Sequence, residues 1–344
     1  MIAPRVLIRA DGGPGVGLGH VRRCLALATA LRAREADVTV VVPDHPALRT
    51  VVTESGFAVE AVLSGEAATL VHTRSLVQTW GAVAAVIDSY ETPGDALRPP
   101  LAAVTAVIDD LGVRDLPVDL VIAPAASDAR QPVEALPGTT VLAGLAYVIL
   151  HPDFARPVLS NSGGPIERVL LTLGGGDPGG LTVPLVDAVS QAVPTAHIDV
   201  VIGPLASDRL ADTIARQRAR VHVHRPVATL AELIEVADLA VCGGGQTLYE
   251  LAARGVPAVA VEVAENQRPN LEMLEALGTV RVAGSAADTF VSARVTQLVQ
   301  ELAADPARRE AMSAAGRRAV DGRGAARVAE ALLGRVALVR GVGR

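Results

Sequence analysis

The chain contains no lysine: all 31 of its basic residues apart from histidine are arginine. A Walker A phosphate loop requires a lysine to reach the terminal phosphates, so that class of nucleotide triphosphatase is excluded. Aromatic residues make up only 2% of the sequence, which disfavours base-stacking platforms and aromatic sugar-binding clefts. The two cysteines, Cys24 and Cys242, lie far apart and cannot form a CxxC metal site, so each reads as a small core residue. No uninterrupted apolar run reaches the roughly 18–20 residues of a membrane helix. The N-terminus shows no basic region followed by an apolar core and a cleavage site, and the expected compartment is the cytoplasm. A net charge of −6 argues against a nucleic-acid-binding surface.

Half of the 344 residues are apolar, and the length exceeds what one compact core usually holds, so two domains are expected. Short β-branched runs alternate with longer alanine- and leucine-rich stretches. The first half offers strands near 6–9, 38–42, 83–88, 106–109 and 120–123, with helices near 21–34, 45–55, 67–80 and 94–103. The second half offers strands near 168–173, 198–202, 220–224, 238–242, 257–262 and 279–282. Its helices fall near 180–193, 206–218, 229–236, 246–254, 266–277 and 286–304, and Ala307–Val339 reads as largely helical. Continuously apolar strands imply burial on both faces, hence parallel sheets flanked by helices. The expected architecture is α/β, with two doubly wound domains over 1–155 and 166–344. They are joined by a linker containing Pro152, Pro157, Asn161, Ser162, Gly163, Gly164 and Pro165.

Three glycine loops follow strands and precede helices. The first, Asp11-Gly12-Gly13-Pro14-Gly15-Val16-Gly17-Leu18-Gly19, ends in His20. The second is Gly174-Gly175-Gly176-Asp177-Pro178-Gly179-Gly180, and the third is Gly243-Gly244-Gly245-Gln246-Thr247. Strand, glycine loop and helix N-terminus together make an anion site, because backbone N–H groups converge there and the macrodipole favours negative charge. Ligands of open parallel sheets bind outside the carboxyl ends of the strands, so three such loops over two domains point to a shared cleft. None is a dinucleotide fingerprint: after Gly15 and Gly17 the third glycine position holds His20, and no acidic residue ends the second strand. Asp88, Tyr90, Asp109 and Asp110 lie at carboxyl ends of first-half strands, where either substrate-binding or loop-capping residues belong. His222 and His224 alternate on one strand with no third ligand nearby, which reads as a strand-end pair without metal.

The stretch Gly243 to Leu251, with Gly255-Val256-Pro257 and Ala264-Glu265-Asn266-Gln267, resembles the nucleotide-binding region of GT-B glycosyltransferases. Further blocks occur in the same order. They are Arg9-Ala10-Asp11, Gly17-Leu18-Gly19-His20-Val21-Arg22-Arg23-Cys24, Asp88-Ser89-Tyr90, Asp109-Asp110, Tyr147 to Phe154, and Leu173 to Pro178. Together they are similar to the hydrolase family of pseudaminic acid biosynthesis, which cleaves a UDP-linked 2,4-diacetamido-2,4,6-trideoxy sugar, and to its spore-coat polysaccharide relatives. The resemblance implies a GT-B-like fold and His20 as general base. It implies a nucleotide and diphosphate pocket of Gly174, Gly175, Gly243, Gly244, Gly245, Gln246 and Thr247, with Glu250 on the ribose. Asp11, Gly17, Gly19, Asp88, Tyr90, Asn266 and Gln267 fall on the sugar side. The first loop departs from the family in being richer in glycine and proline. The resulting expectation is metal-independent, inverting cleavage of the anomeric C–O bond of a nucleotide sugar, with no cofactor and a monomer or homodimer. If water attacks, the protein is a hydrolase; if an acceptor hydroxyl attacks, it is a glycosyltransferase.

Overall fold

A computed structural model describes residues 3–62, 66–110, 116–124, 136–156, 163–215, 220–225, 227 and 229–342. The chain forms two compact units, residues 1–152 with 322–344, and residues 153–321.

In the first unit seven strands run in chain order: β1 (Arg5–Ala10), β2 (Asp37–Pro43), β3 (Ala58–Val62), β4 (Ala84–Asp88), β5 (Val104–Ile108), β6 (Leu120–Ala123) and β7 (Thr140–Ala143). They form one parallel sheet in the order β3-β2-β1-β4-β5-β6-β7. β4 and β5 are buried at every position, as their unbroken apolar sequences require. Helices α1 (Gly19–Arg32), α2 (Pro46–Glu54) and α3 (Glu66–Trp80) connect the first four strands. The order reverses between β1 and β4, which makes the crevice beyond their carboxyl ends the topological switch point.

The second unit repeats the plan with β8 (Arg168–Thr172), β9 (His197–Val201), β10 (Val221–His224), β11 (Leu239–Gly243), β12 (Ala258–Glu262) and β13 (Val280–Ser285). Their parallel order is β10-β9-β8-β11-β12-β13, so the reversal falls between β8 and β11. Helices α4 (Thr182–Ala192), α5 (Asp208–Ala215), α6 (Ala231–Glu235), α7 (Gln246–Arg254), α8 (Arg268–Ala276), α9 (Val291–Ala304) and α10 (Pro306–Ala319) belong to it. Val169, Leu171, Ile198, Val200, Val241 and Val259 on the strands pack with Leu185, Val189, Val295 and Val299 on α4 and α9.

Three sequence expectations need correction. β3 and β7 went unread because both are edge strands: β3 alternates exposed and half-buried positions, and β7 has only four residues. The helix expected over 94–103 is a single 3-10 turn, Asp95–Leu97, because Pro99 and Pro100 cannot donate to a helical ladder and Pro99 disfavours helical geometry at Arg98. The stretch Ala307–Val339 is largely helical as expected, in two helices, α10 and α11 (Gly324–Val342), separated at a left-handed Gly322 with φ of 72°. Finally, α11 belongs to the first unit rather than to a second domain over 166–344. Gly324 lies so close to Val148 that a Cβ would fall 2.1 Å from its carbonyl oxygen, and Arg327 donates to the Ala146 carbonyl at 2.8 Å. Pro157, Asn161 and Ser162 of the expected linker, and the end of the helix expected over 206–218, lie outside the described residues.

Arg309, at the start of α10, is 1% exposed and donates to the Leu302 and Ala303 carbonyls at the end of α9 and to the Gly164 carbonyl. The Leu302 and Ala303 carbonyls belong to the last turn of α9, where helical donors run out, and Arg309 ties that turn to the chain at Gly164. Replacing Arg309 with Met should cost about 2–4 kcal/mol, read as a fall in the denaturant midpoint with unchanged slope.

Candidate functional site

In the first unit the chain leaves β1 at Ala10 and doubles back on itself. Gly13 and Gly17 each donate to the other's carbonyl, at 3.0 and 2.8 Å. Their φ values of 116° and 86° lie where side chains are strained, so glycine is required to close this turn. The turn delivers the chain to α1, whose first residues carry His20, Arg23 and Cys24 at i, i+3 and i+4, hence on one face. That face meets Asp88, the last residue of β4 and fully buried.

Asp88 accepts from His20 Nδ1 at 2.7 Å, and from Arg23 Nε and Nη2 at 2.6 and 2.7 Å. Burial alone would raise the Asp88 pKa, but the Arg23 guanidinium and His20 outweigh it and hold the carboxyl well below the usual range. Burial would likewise lower the Arg23 pKa, but the carboxylates of Asp110 and Asp88 keep it well above its ordinary value. Asp88 is therefore an ionised acceptor, and Nδ1 must be the nitrogen that carries the hydrogen toward it. Arg23 Nη2 lies 3.2 Å from the same Nδ1. Since both carry hydrogens, this approach is a packing contact. The neutral imidazole then keeps its lone pair on Nε2, the arrangement a general base needs.

Two further groups close the cluster. Arg23 also binds Asp110, which follows β5, and the Tyr90 hydroxyl donates to Asp110 at 3.0 Å. The Tyr90 ring packs edge-on against the His20 imidazole, with centroids 4.6 Å apart at 76°. Burial and the neighbouring Asp110 push the Tyr90 phenol well above its ordinary pKa, so it stays protonated. Asp11 is fixed separately: its N–H donates to the Asp88 carbonyl at 3.0 Å, and its carboxylate accepts from Arg9 at 2.9 Å. Of the first-half residues picked from sequence, the structure brings His20, Asp88 and Tyr90 together, with Asp11 and Gly17 on the adjoining loop. Gly19 opens α1. Asp110, read from the sequence as a substrate-binding or loop-capping residue, joins this cluster, and Arg23 is the member not singled out as a site residue. The i, i+3 spacing of Arg23 from His20 at a helix start was the available signal.

In the second unit the loops after β8 and β11 flank the switch point. Gly174 takes φ of 96°, and a Cβ at Gly203, just beyond β9, would fall 2.4 Å from the carbonyl oxygens of both Gly174 and Gly175. Leu205 donates to the Gly175 carbonyl at 2.9 Å, so this segment backs the loop. Asp177 accepts from the N–H and hydroxyl of Thr182 at 2.9 and 2.6 Å and so anchors the start of α4.

After β11, Gly244 fits where a Cβ would press on Leu271 at 2.8 Å and on Gln267 at 2.9 Å. Gly245 is the N-cap of α7, and no side chain caps that end. Gln246 and Thr247 open the helix half-buried, the geometry that favours an anion. Glu250 lies buried one turn in, and burial together with its charge pushes the Cys242 thiol up to about 12. Gly255, with φ of 67°, ends the helix. Asn266 is exposed in the 3-10 turn Glu265–Gln267 after β12. Gln267 serves the backbone instead. Its carboxamide oxygen accepts from the N–H groups of Gly244 at 2.9 Å and Val263 at 3.1 Å, tying the two strand ends together.

His224 and Arg168 both bind buried Asp199, at 2.8 and 3.0 Å, while His222 stacks on His197 at 5.7 Å. Among the described residues no three histidine, cysteine or acidic side chains gather as a metal site, and no helix is long and apolar enough to cross a membrane.

No family model matches the chain. It is 29% identical to the UDP-N-acetylglucosamine–N-acetylmuramyl-(pentapeptide) pyrophosphoryl-undecaprenol N-acetylglucosamine transferase of Xanthomonas campestris, over 94% of this chain and 80% of that protein. It is 25% identical to the spore coat polysaccharide biosynthesis protein SpsG of Bacillus subtilis, over 93% of this chain and 95% of the other. Among solved structures, the glycotransferase of kitacinnamycin superimposes with a TM-score of 0.65 at 20% identity, covering 97% of this chain and 99% of that one. The fold is thus that of GT-B glycosyltransferases, with two Rossmann-like parallel-sheet domains.

Proposed function

We propose that the chain is a glycosyltransferase that moves a sugar from a nucleoside diphosphate to an acceptor hydroxyl. The observation that carries this reading is the His20–Asp88 pair at the first unit's switch point, which leaves an imidazole lone pair at the place where a substrate belongs. His20 removes the proton from the attacking hydroxyl as that oxygen meets the anomeric carbon. The C–O bond to the diphosphate breaks, and the configuration at that carbon inverts.

The growing charge on the leaving diphosphate falls to the second unit. The N-terminus of α7 at Gln246–Thr247 and the loop at Gly174–Gly175 offer N–H donors and a helix dipole there. Glu250, Asn266, Asp11 and Tyr90 are proposed as contacts to ribose and sugar. The names of the Xanthomonas and kitacinnamycin relatives favour transfer over the hydrolysis that the sequence resemblance suggested.

The test follows UDP release from UDP-N-acetylglucosamine and other UDP-sugars, with chelator present, across a panel of hydroxyl acceptors. Release that requires an acceptor supports transfer. Equal release in water alone makes the protein a hydrolase of the same site, and strict dependence on added divalent metal contradicts the charge assignment. A separate prediction concerns Gly203→Ala. Its new methyl meets backbone on both sides, so the Gly174–Gly175 loop must move. UDP affinity by calorimetry should fall by about tenfold or more, or about 1.4 kcal/mol, with helical content unchanged.

A further inference from the structure

We propose that Arg23 is a positioning residue: it keeps Asp88 a pure hydrogen-bond acceptor and thereby fixes which nitrogen of His20 carries the hydrogen. The inference rests on His20 being the base. It concerns a residue that touches no substrate in the mechanism above.

The geometry is that of a shared carboxylate. Both oxygens of Asp88 receive Arg23, at 2.6 and 2.7 Å, and one of them also receives His20 Nδ1 at 2.7 Å. Arg23 is itself held from the far side by Asp110, to which Tyr90 donates. The titratable groups around the imidazole are therefore Asp88 from β4, Tyr90 beyond it, Arg23 and Cys24 from α1, and Asp110 beyond β5. Cys24 is a buried thiol, its pKa raised first by burial and then by Asp88, and it carries no charge.

A fully buried carboxylate without its guanidinium would take up a proton readily. Protonated, Asp88 would donate into Nδ1, which forces the hydrogen of the neutral imidazole onto Nε2 and removes the lone pair that the base reaction needs. Arg23 prevents this exchange.

The test needs no substrate, so its failure is separable from failure of the proposed activity. Long-range ¹H–¹⁵N spectra of the full chain report tautomer and charge for each of the seven histidines, and His20→Gln assigns the relevant signal. The wild-type protein should show hydrogen on Nδ1 and an unprotonated Nε2. In Arg23→Met the Nε2–H tautomer of His20 should appear. If that variant does not fold, Arg23→Lys carries the test. It keeps the cation but loses the two-pronged contact, and it should show the same tautomer change. A folded variant with the tautomer of wild type overturns the proposal, as does a wild-type imidazole with its hydrogen on Nε2.

Discussion

Replacing His20 with Ala should lower kcat by about 10²–10⁴ while leaving the affinity for UDP unchanged. The two effects separate because the groups belong to different units. His20 lies at the end of the β1 loop in the first unit, whereas the α7 N-terminus and the Gly174 loop lie in the second. His20 is 7% exposed and packs on Tyr90 and Asp88, so a modest loss of stability accompanies the change. Kinetics at saturating nucleotide sugar, with UDP binding measured in parallel by calorimetry, read the split. A variant that loses UDP binding and activity in equal measure would assign His20 to substrate holding, and one with undiminished kcat would remove it from the mechanism.

The second large effect is expected for Asp88→Asn. An amide at this position has one acceptor oxygen where both carboxylate oxygens receive Arg23, and with that oxygen on Arg23 Nε its NH₂ faces Nδ1 of His20. The imidazole must then hold its hydrogen on Nε2, and activity should fall by about 10³–10⁴. Stability should fall as well, by on the order of 3 kcal/mol, because a buried guanidinium loses an ionised partner. The pH dependence has a definite sign. Asp88 has its pKa depressed in the folded state, so its contribution is fully present above the unfolded value of about 3.9. That contribution is lost as the pH falls below it toward the folded value. Wild type and variant should therefore differ most in denaturant midpoint near neutral pH and converge on acidification. A difference that grew on acidification would contradict the ion-pair account.

Much of the architecture was legible in the sequence because buried parallel strands are continuously apolar. Val38–Val42, Ala84–Asp88 and Leu239–Cys242 announce themselves without reference to their neighbours. β3 and β7 did not, since an edge strand half open to solvent need not be apolar on both faces. The assignment of α11 to the first unit was beyond reach for another reason. Its alanines and arginines specify a helix but not the helix's partner, which is settled by the close fit of Gly324 on Val148.

In the site, glycine loops and the position of His20 could be read from spacing alone. Arg23 and Asp110 could not be joined to them, because their meeting depends on a strand order that brings β4 beside β1 and β5 beside β4. Gln267 shows the converse difficulty. Its motif suggests a sugar contact, while its carboxamide oxygen is committed to two backbone donors.

The central claim is that a base in the first unit activates an oxygen that displaces the nucleoside diphosphate directly. The anomeric configuration of the first-formed product, followed by ¹H NMR during turnover of UDP-N-acetylglucosamine or whichever UDP-sugar is accepted, tests this most directly. The account predicts a product inverted relative to the donor, formed at an undiminished rate in the presence of chelator. A product that retains the donor's configuration would contradict it.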